Sequence, residues 1–86
     1  MNAAELTAEI LKREGVEFLA CYPRNALIES CAAAGIRPII CRQERVGVGI
    51  ADGYSRTAGS NRVGVFAAQS GPGIENAYPG IAQAYA

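Results

Sequence analysis

The stretch Ile36-Arg37-Pro38-Ile39-Ile40-Cys41-Arg42-Gln43-Glu44-Arg45-Val46-Gly47-Val48-Gly49-Ile50-Ala51-Asp52-Gly53-Tyr54-Ser55-Arg56 decides how the chain is read. It opens as an apolar run with the character of a buried strand (Ile36 to Cys41) and turns at once into a glycine-rich helix from about Glu44 to Ala58. Pro38 lies inside the strand and cannot donate to a ladder, so this strand belongs at a sheet edge. Glu44 falls just past its C-terminal end. Open α/β sheets hold their ligands at that edge.

The same alternation extends outward in both directions. Asn2 and Glu5 have the spacing of a capping box and open a helix to about Glu14, with Leu6, Ile10 and Leu11 on one apolar face. Gly15 ends it. Val16 to Tyr22 is a near-continuous apolar run, as in a strand covered on both faces. Pro23-Arg24-Asn25 turns the chain. Asn25 is placed to cap a second helix that buries Leu27, Ile28, Cys31 and Ala32 and stops at Gly35. After the quoted stretch, Gly59-Ser60-Asn61 makes another turn. Val63 to Ala68 reads as a third strand, and Gln69-Ser70-Gly71-Pro72-Gly73 as a tight loop into a last helix. One helix followed by three strand–helix units predicts a parallel sheet with helices on both sides. Right-handed crossovers with strand two at the edge give the order 2-1-3. The uncapped Ala-Tyr-Ala end and the open edge of strand three predict that the sheet continues in residues outside these 86.

Composition narrows the function classes. Eight basic and eight acidic residues give zero net charge, so no basic stripe points to nucleic acid or an anionic membrane surface. No apolar run reaches the ~18–20 residues of a membrane span. With no His and three well-separated cysteines, no metal site is expected. Cys21, Cys31 and Cys41 lie in apolar segments and read as small buried hydrophobes of a reduced, cytoplasmic chain.

Two segments carry chemistry or packing. Three glycines inside one helix (Gly47, Gly49 and Gly53) each cost about 1 kcal/mol relative to Ala, a cost associated with close backbone approach to a sheet, a subunit or a ligand. Glu44 reads either as a first-turn acid balancing the helix dipole or as a site residue. The loop from Gln69 to Gly73 follows a strand and opens a helix, so its amides could face an anion. It is neither a Walker A loop nor a Gly-x-Gly-x-x-Gly turn. These features alone leave open a flavodoxin-like module binding a small anion, or an oligomerisation domain.

Taken together, the segments resemble the N-terminal, pyrimidine-binding (Pyr) domain of thiamine diphosphate enzymes of the acetolactate synthase-like group. The matching residues are Arg42-Gln43-Glu44, Ala51-Asp52-Gly53-Tyr54-Ser55-Arg56, Gly59, Val63-Gly64-Val65, Ser70-Gly71-Pro72-Gly73, Asn76 and Gly80-Ile81-Ala82-Gln83-Ala84-Tyr85, and the segment from Val16 to Pro23 fits the first strand and turn. The resemblance covers nearly the whole chain. It implies a three-layer, doubly wound α/β fold of which residues 1–86 form the first half, about three strands. It implies thiamine diphosphate as cofactor, 2-oxo acids as substrates, and assembly as a homodimer or homotetramer through this domain. The residue matching Glu44 is implied to be catalytic, bonding N1′ of the aminopyrimidine and favouring the imino tautomer that serves as base at the thiazolium. Pro23, Glu44, Ser70, Gly71, Pro72, Gly73 and Asn76 are the implied cofactor-binding residues. Gln69, where the family often has Thr, is the implied substrate-cleft residue. Arg24 replaces a common Gly, and Pro79 interrupts the last helix. The Gly-Asp-Gly…Asn motif that holds Mg²⁺ and the diphosphate is not in this sequence; the family carries it in a C-terminal domain. FAD, optional in the family, has no signal here.

Overall fold

A computed structural model describes residues 2–23, 26–59, 62–69 and 71–86. Seven elements follow in the expected order: α1 (Ala3–Arg13), β1 (Phe18–Cys21), α2 (Ala26–Ala33), β2 (Arg37–Ile40), α3 (Glu44–Thr57), β3 (Val65–Ala67) and α4 (Pro72–Tyr85). The strands are shorter than the apolar runs that announce them. The expected Asn25 cap, Arg24 and part of the Gly59-Ser60-Asn61 turn lie outside the described residues.

The helix boundaries follow from local chemistry. Asn2 and Glu5 form the capping box reciprocally: the Glu5 amide donates to Asn2 Oδ1 at 2.8 Å, and the Asn2 amide to Glu5 Oε1 at 3.0 Å. At the other end Gly15 takes φ 84°, and the amides of Gly15 and Val16 donate to the carbonyls of Lys12 and Leu11. Gly35 and Ile36 repeat this pattern on Ala32 and Cys31 after α2. Both are Schellman ends, in which a glycine at positive φ lets the last carbonyls be satisfied.

All strand pairs are parallel, in the order β2-β1-β3. Leu19 pairs with Pro38 on one side and Val65 on the other. The amides of Arg37 and Cys41 donate toward β1, to the carbonyls of Glu17 and Cys21. The alternate residue Pro38 therefore turns its nitrogen away from β1, which is why a proline is compatible with this edge.

Side-chain alternation splits the sheet between two helical layers. Leu19, Cys21, Val65 and Ala67 face α1 and α2, forming a core with Ala8, Cys31 and Ile36 and with the flanking Leu11, Leu27 and Ile28. Phe18 and Phe66 face the other way, toward α3, and α4 packs alongside α3. Two expectations about helix faces are corrected. On α1, Leu6 and Ile10 are half exposed, at 51% and 52%, while Ala8 is buried. A two-residue offset is about 200° around a helix, so the small Ala8 draws the opposite face inward, and of the three expected residues only Leu11 joins the core. On α2, Ala32 is exposed and Cys31 takes the buried position.

The glycines separate into two kinds. A Cβ on Gly47 would lie 2.2 Å from the Phe66 ring, one on Gly64 would lie 2.0 Å from the Ala51 carbonyl oxygen, and one on Gly80 would lie 2.7 Å from Val48 Cβ. These permit β3 and α4 to press on α3. Gly49 and Gly53 have nothing within 4 Å, so close packing within this chain does not explain them. Among the cysteines, burial pushes the Cys21 and Cys31 thiols above their ordinary range.

At the N-terminal end of the sheet, the Tyr54 hydroxyl donates to Glu17 Oε1 at 2.5 Å, and Arg62 pairs with the same carboxylate. Tyr54 also meets Phe18 edge to face, with ring centroids 4.8 Å apart. At the far end of α3, Arg56 binds Asp52 and the carbonyl of Ala84, joining α3 to α4.

Gly64→Ala sets a methyl against backbone that cannot swing aside, so it should destabilise by about 1–3 kcal/mol. Gly53→Ala on an open helix face should gain about 0.5–1 kcal/mol. Denaturant titration checks both signs. The Tyr54 hydroxyl, and secondarily Arg62, hold the Glu17 carboxyl below its ordinary 4.5. Its contribution to stability is therefore full above that value and is lost as pH falls through the lowered one. Tyr54→Phe should move the Glu17 midpoint upward in a carboxyl-carbon NMR titration.

Candidate active site

Because all three strands run the same way, the segments that leave them meet on one side of the sheet. Tyr22 follows β1, Arg42 and Gln43 follow β2, and Gln69 follows β3. Together with the first turns of α3 and α4 they line a cleft of about 590 Å³. That is the size range of small-molecule sites and the edge where α/β sheets hold ligands.

Glu44 is the first residue of α3 and lines this cleft. It is 5% exposed and is the buried charged residue among those described. Its carboxylate has no hydrogen-bond or ion-pair partner among the described residues, and no described buried side-chain oxygen is fully enclosed without a partner. The carboxylate therefore keeps an edge open to the cleft, and a donor is what it lacks there. Gln43 precedes it in extended conformation (φ −135°, ψ 142°) without capping the helix through its side chain. Its amide oxygen instead accepts from Arg45 Nε at 3.1 Å.

The opposite wall comes from the start of α4. Gly71 is its N-cap at φ 71°, a backbone state that favours glycine, and Pro72 starts the helix with its fixed φ. Gly73 is buried directly against the acid. A Cβ there would stand 3.3 Å from Glu44 Oε2 and 3.1 Å from Gln69 Cβ. The bare backbone of Gly73 thus sets where the carboxylate lies. Pro79, inside α4, adds to the wall. It has no amide to donate to the Glu75 carbonyl four residues back.

Of the residues singled out in the sequence, Glu44, Gln69, Pro72, Gly73 and Asn76 come together around the cleft. Gly71 is the N-cap of α4 and is not among the lining residues. Pro23 is exposed and is not among the lining residues, and Ser70 lies outside the described residues. Sequence reasoning did not pick out Tyr22, Glu75 or a lining role for Arg42 and Arg45. Tyr22 was detectable in principle, as the residue at the C-terminal end of the first strand. Among the described residues there is no cluster of three or more His, Cys, Asp or Glu that could hold a metal ion, and no helix is long and apolar enough to cross a membrane.

Comparison with known proteins identifies the family. The family described as thiamine pyrophosphate enzyme, N-terminal TPP binding domain, matches residues 1–86. The chain is 39% identical over 89 residues to the acetolactate synthase large subunit of Haemophilus influenzae, covering 99% of this chain and 15% of that protein. It is 38% identical over 88 residues to the acetolactate synthase large subunit of Lactococcus lactis, covering 98% of this chain and 15% of that one. It is 39% identical over 87 residues to the chloroplastic acetolactate synthase of Arabidopsis thaliana, covering 96% and 13%. No solved structure gives a significant match. The chain belongs to the thiamine pyrophosphate enzyme N-terminal domain family and spans about 15% of the length of the curated relatives.

Proposed function

We propose, starting from that family membership, that these residues are the pyrimidine-binding part of a larger thiamine diphosphate-dependent enzyme acting on 2-oxo acids, in decarboxylation and carboligation of the acetolactate synthase kind. The observation that carries the reading is the Glu44 carboxylate, without a partner among the described residues, 5% exposed and open to a cleft of about 590 Å³. A buried carboxylate without a donor is costly in a chain that has no use for it. An aminopyrimidine offers the complement, a flat ring with a basic nitrogen that can share a proton with the acid. When bound, the cofactor supplies the electron sink for 2-oxo acid chemistry.

The residues of the chain then have distinct tasks. Glu44 holds or moves a proton at N1′ of the pyrimidine. Gly73 keeps the wall thin enough for the carboxylate to stand at that place, and Gln69 and Asn76 offer amide groups along the rim. Mg²⁺ and the diphosphate are assigned to other parts of the larger protein. The buried cysteines suit a reducing compartment such as the cytoplasm. In the larger enzyme, Glu44→Gln should slow exchange of the C2 proton of bound thiamine diphosphate by about 10²–10⁴-fold, the usual range for a lost acid–base group. Exchange at the wild-type rate refutes the role.

A partner subunit is proposed at the outer face of α3. Gly49 and Gly53 leave that face open, and Val46 beside them is 49% exposed. Gly49→Leu and Gly53→Leu in the larger enzyme should shift its sedimentation toward smaller species; unchanged sedimentation removes this face from the interface.

A further inference from the structure

Two arginines at the same cleft have a placement that folding does not account for. Arg45 is the second residue of α3, in the turn where the helix macrodipole is positive and a cation is disfavoured. Arg42 stands two residues before that helix. Both line the cleft with Glu44 and Glu75, so its four charges sum to zero. They do not neutralise one another: the ion pairs among the described residues are Arg56–Asp52 and Arg62–Glu17, and neither Arg42 nor Arg45 joins a carboxylate. Arg45 is nonetheless oriented, because its Nε donates to Gln43 Oε1 at 3.1 Å. That bond leaves the terminal nitrogens of the guanidinium to other acceptors.

Within a few residues the cleft therefore presents opposite demands. The buried Glu44 carboxylate lacks a donor among the described residues. The cationic rim of Arg42 and Arg45, next to a helix N-terminus, lacks an anion. One occupant with an N–H or basic nitrogen cannot meet both. The cofactor pyrimidine meets Glu44, and the rim, with the terminal nitrogens of its exposed arginines open to the cleft, can take a second, anionic species.

We propose that Arg45, assisted by Arg42, seats the carboxylate of the 2-oxo acid substrate at the mouth of the Glu44 cleft. This inference rests on the proposed function. Guanidinium matches a carboxylate through parallel N–H donors, which favours a small carboxylic acid at this rim. The other compact anion that could be drawn there is the diphosphate of the cofactor, and the experiment separates the two.

The larger enzyme is assayed as Arg45→Gln and Arg45→Lys, with pyruvate and thiamine diphosphate titrated separately. Both substitutions are at an exposed side chain, and an unchanged circular dichroism melt checks that the fold is kept. The expected result for Arg45→Gln is a KM for pyruvate raised about 10- to 100-fold, the loss typical of a charged hydrogen bond, with kcat and the half-saturating thiamine diphosphate concentration nearly unchanged. Arg45→Lys keeps the charge without the fork and should recover part of the loss. Should Arg45→Lys fail to melt like the wild type, Arg42→Gln replaces it and should raise the same KM by a smaller factor. A changed thiamine diphosphate requirement with unchanged KM for pyruvate overturns the proposal in favour of the diphosphate, and no change in either overturns it outright. Glu44→Gln run alongside keeps the two readings apart. If that variant loses C2 exchange while Arg45→Gln keeps its KM, the cofactor site stands and the anion seat falls.

Discussion

The close approach of α4 to α3 is the constraint on which the site depends. At Gly80 the two helices meet so tightly that a Cβ would stand 3.0 Å from the Arg45 carbonyl and closer still to Val48. One further contact at Gly73 brings the start of α4 against the Glu44 carboxylate. Seven residues separate Gly73 from Gly80, about two helical turns, so both lie on the same face of α4. Ala77 between them is buried on that face too. A single stripe of small residues thus fixes the height of α4 along α3 and brings both helix N-termini to one cleft. Arg56, held by Asp52 and reaching the Ala84 carbonyl, secures the far end of the same helix pair.

The consequence is a carboxylate largely withdrawn from water, open only to the cleft and without a donor among the described residues. Ordinary folding selects against this, because desolvation of a charge is only offset by pairing. Local rules are broken most often where a site requires it. Glu44 breaks one rule and Arg45, a cation at a positive helix end, breaks another, and they do so one residue apart. The rest of the chain obeys local rules closely, as the capping box at Asn2 and the two Schellman ends at Gly15 and Gly35 show. The contrast separates the residues that fold the domain from those that serve the cleft.

The strand order and the edge position of Pro38 were legible in the sequence, because a missing amide and a right-handed crossover are properties of the chain itself. The grouping of Glu44 with Gln69, Gly73 and Asn76 was implied by the family resemblance alone; the structure brings them to one cleft because strand ends in a parallel sheet converge on one edge. The inward face of α1 was not legible. Leu6 and Ile10 carry the stronger hydrophobic signal, yet Ala8 is buried, because how near a helix can come to its neighbours depends on the smallest side chain between them. The three glycines of α3 were also read alike, although Gly47 alone meets a neighbour inside this chain.

By itself the sequence determined the parallel α/β architecture, the helix boundaries and the acid at the end of the second strand, all of which follow from local backbone chemistry and periodicity. Only the tertiary structure decided that the acid is buried with one edge open to the cleft and no partner among the described residues, that Gly73 packs directly against it, and that two arginines without a carboxylate partner among those residues share its cleft. Those are distances between segments far apart in the chain. They follow from how closely two helices can pack, a quantity that no single segment encodes.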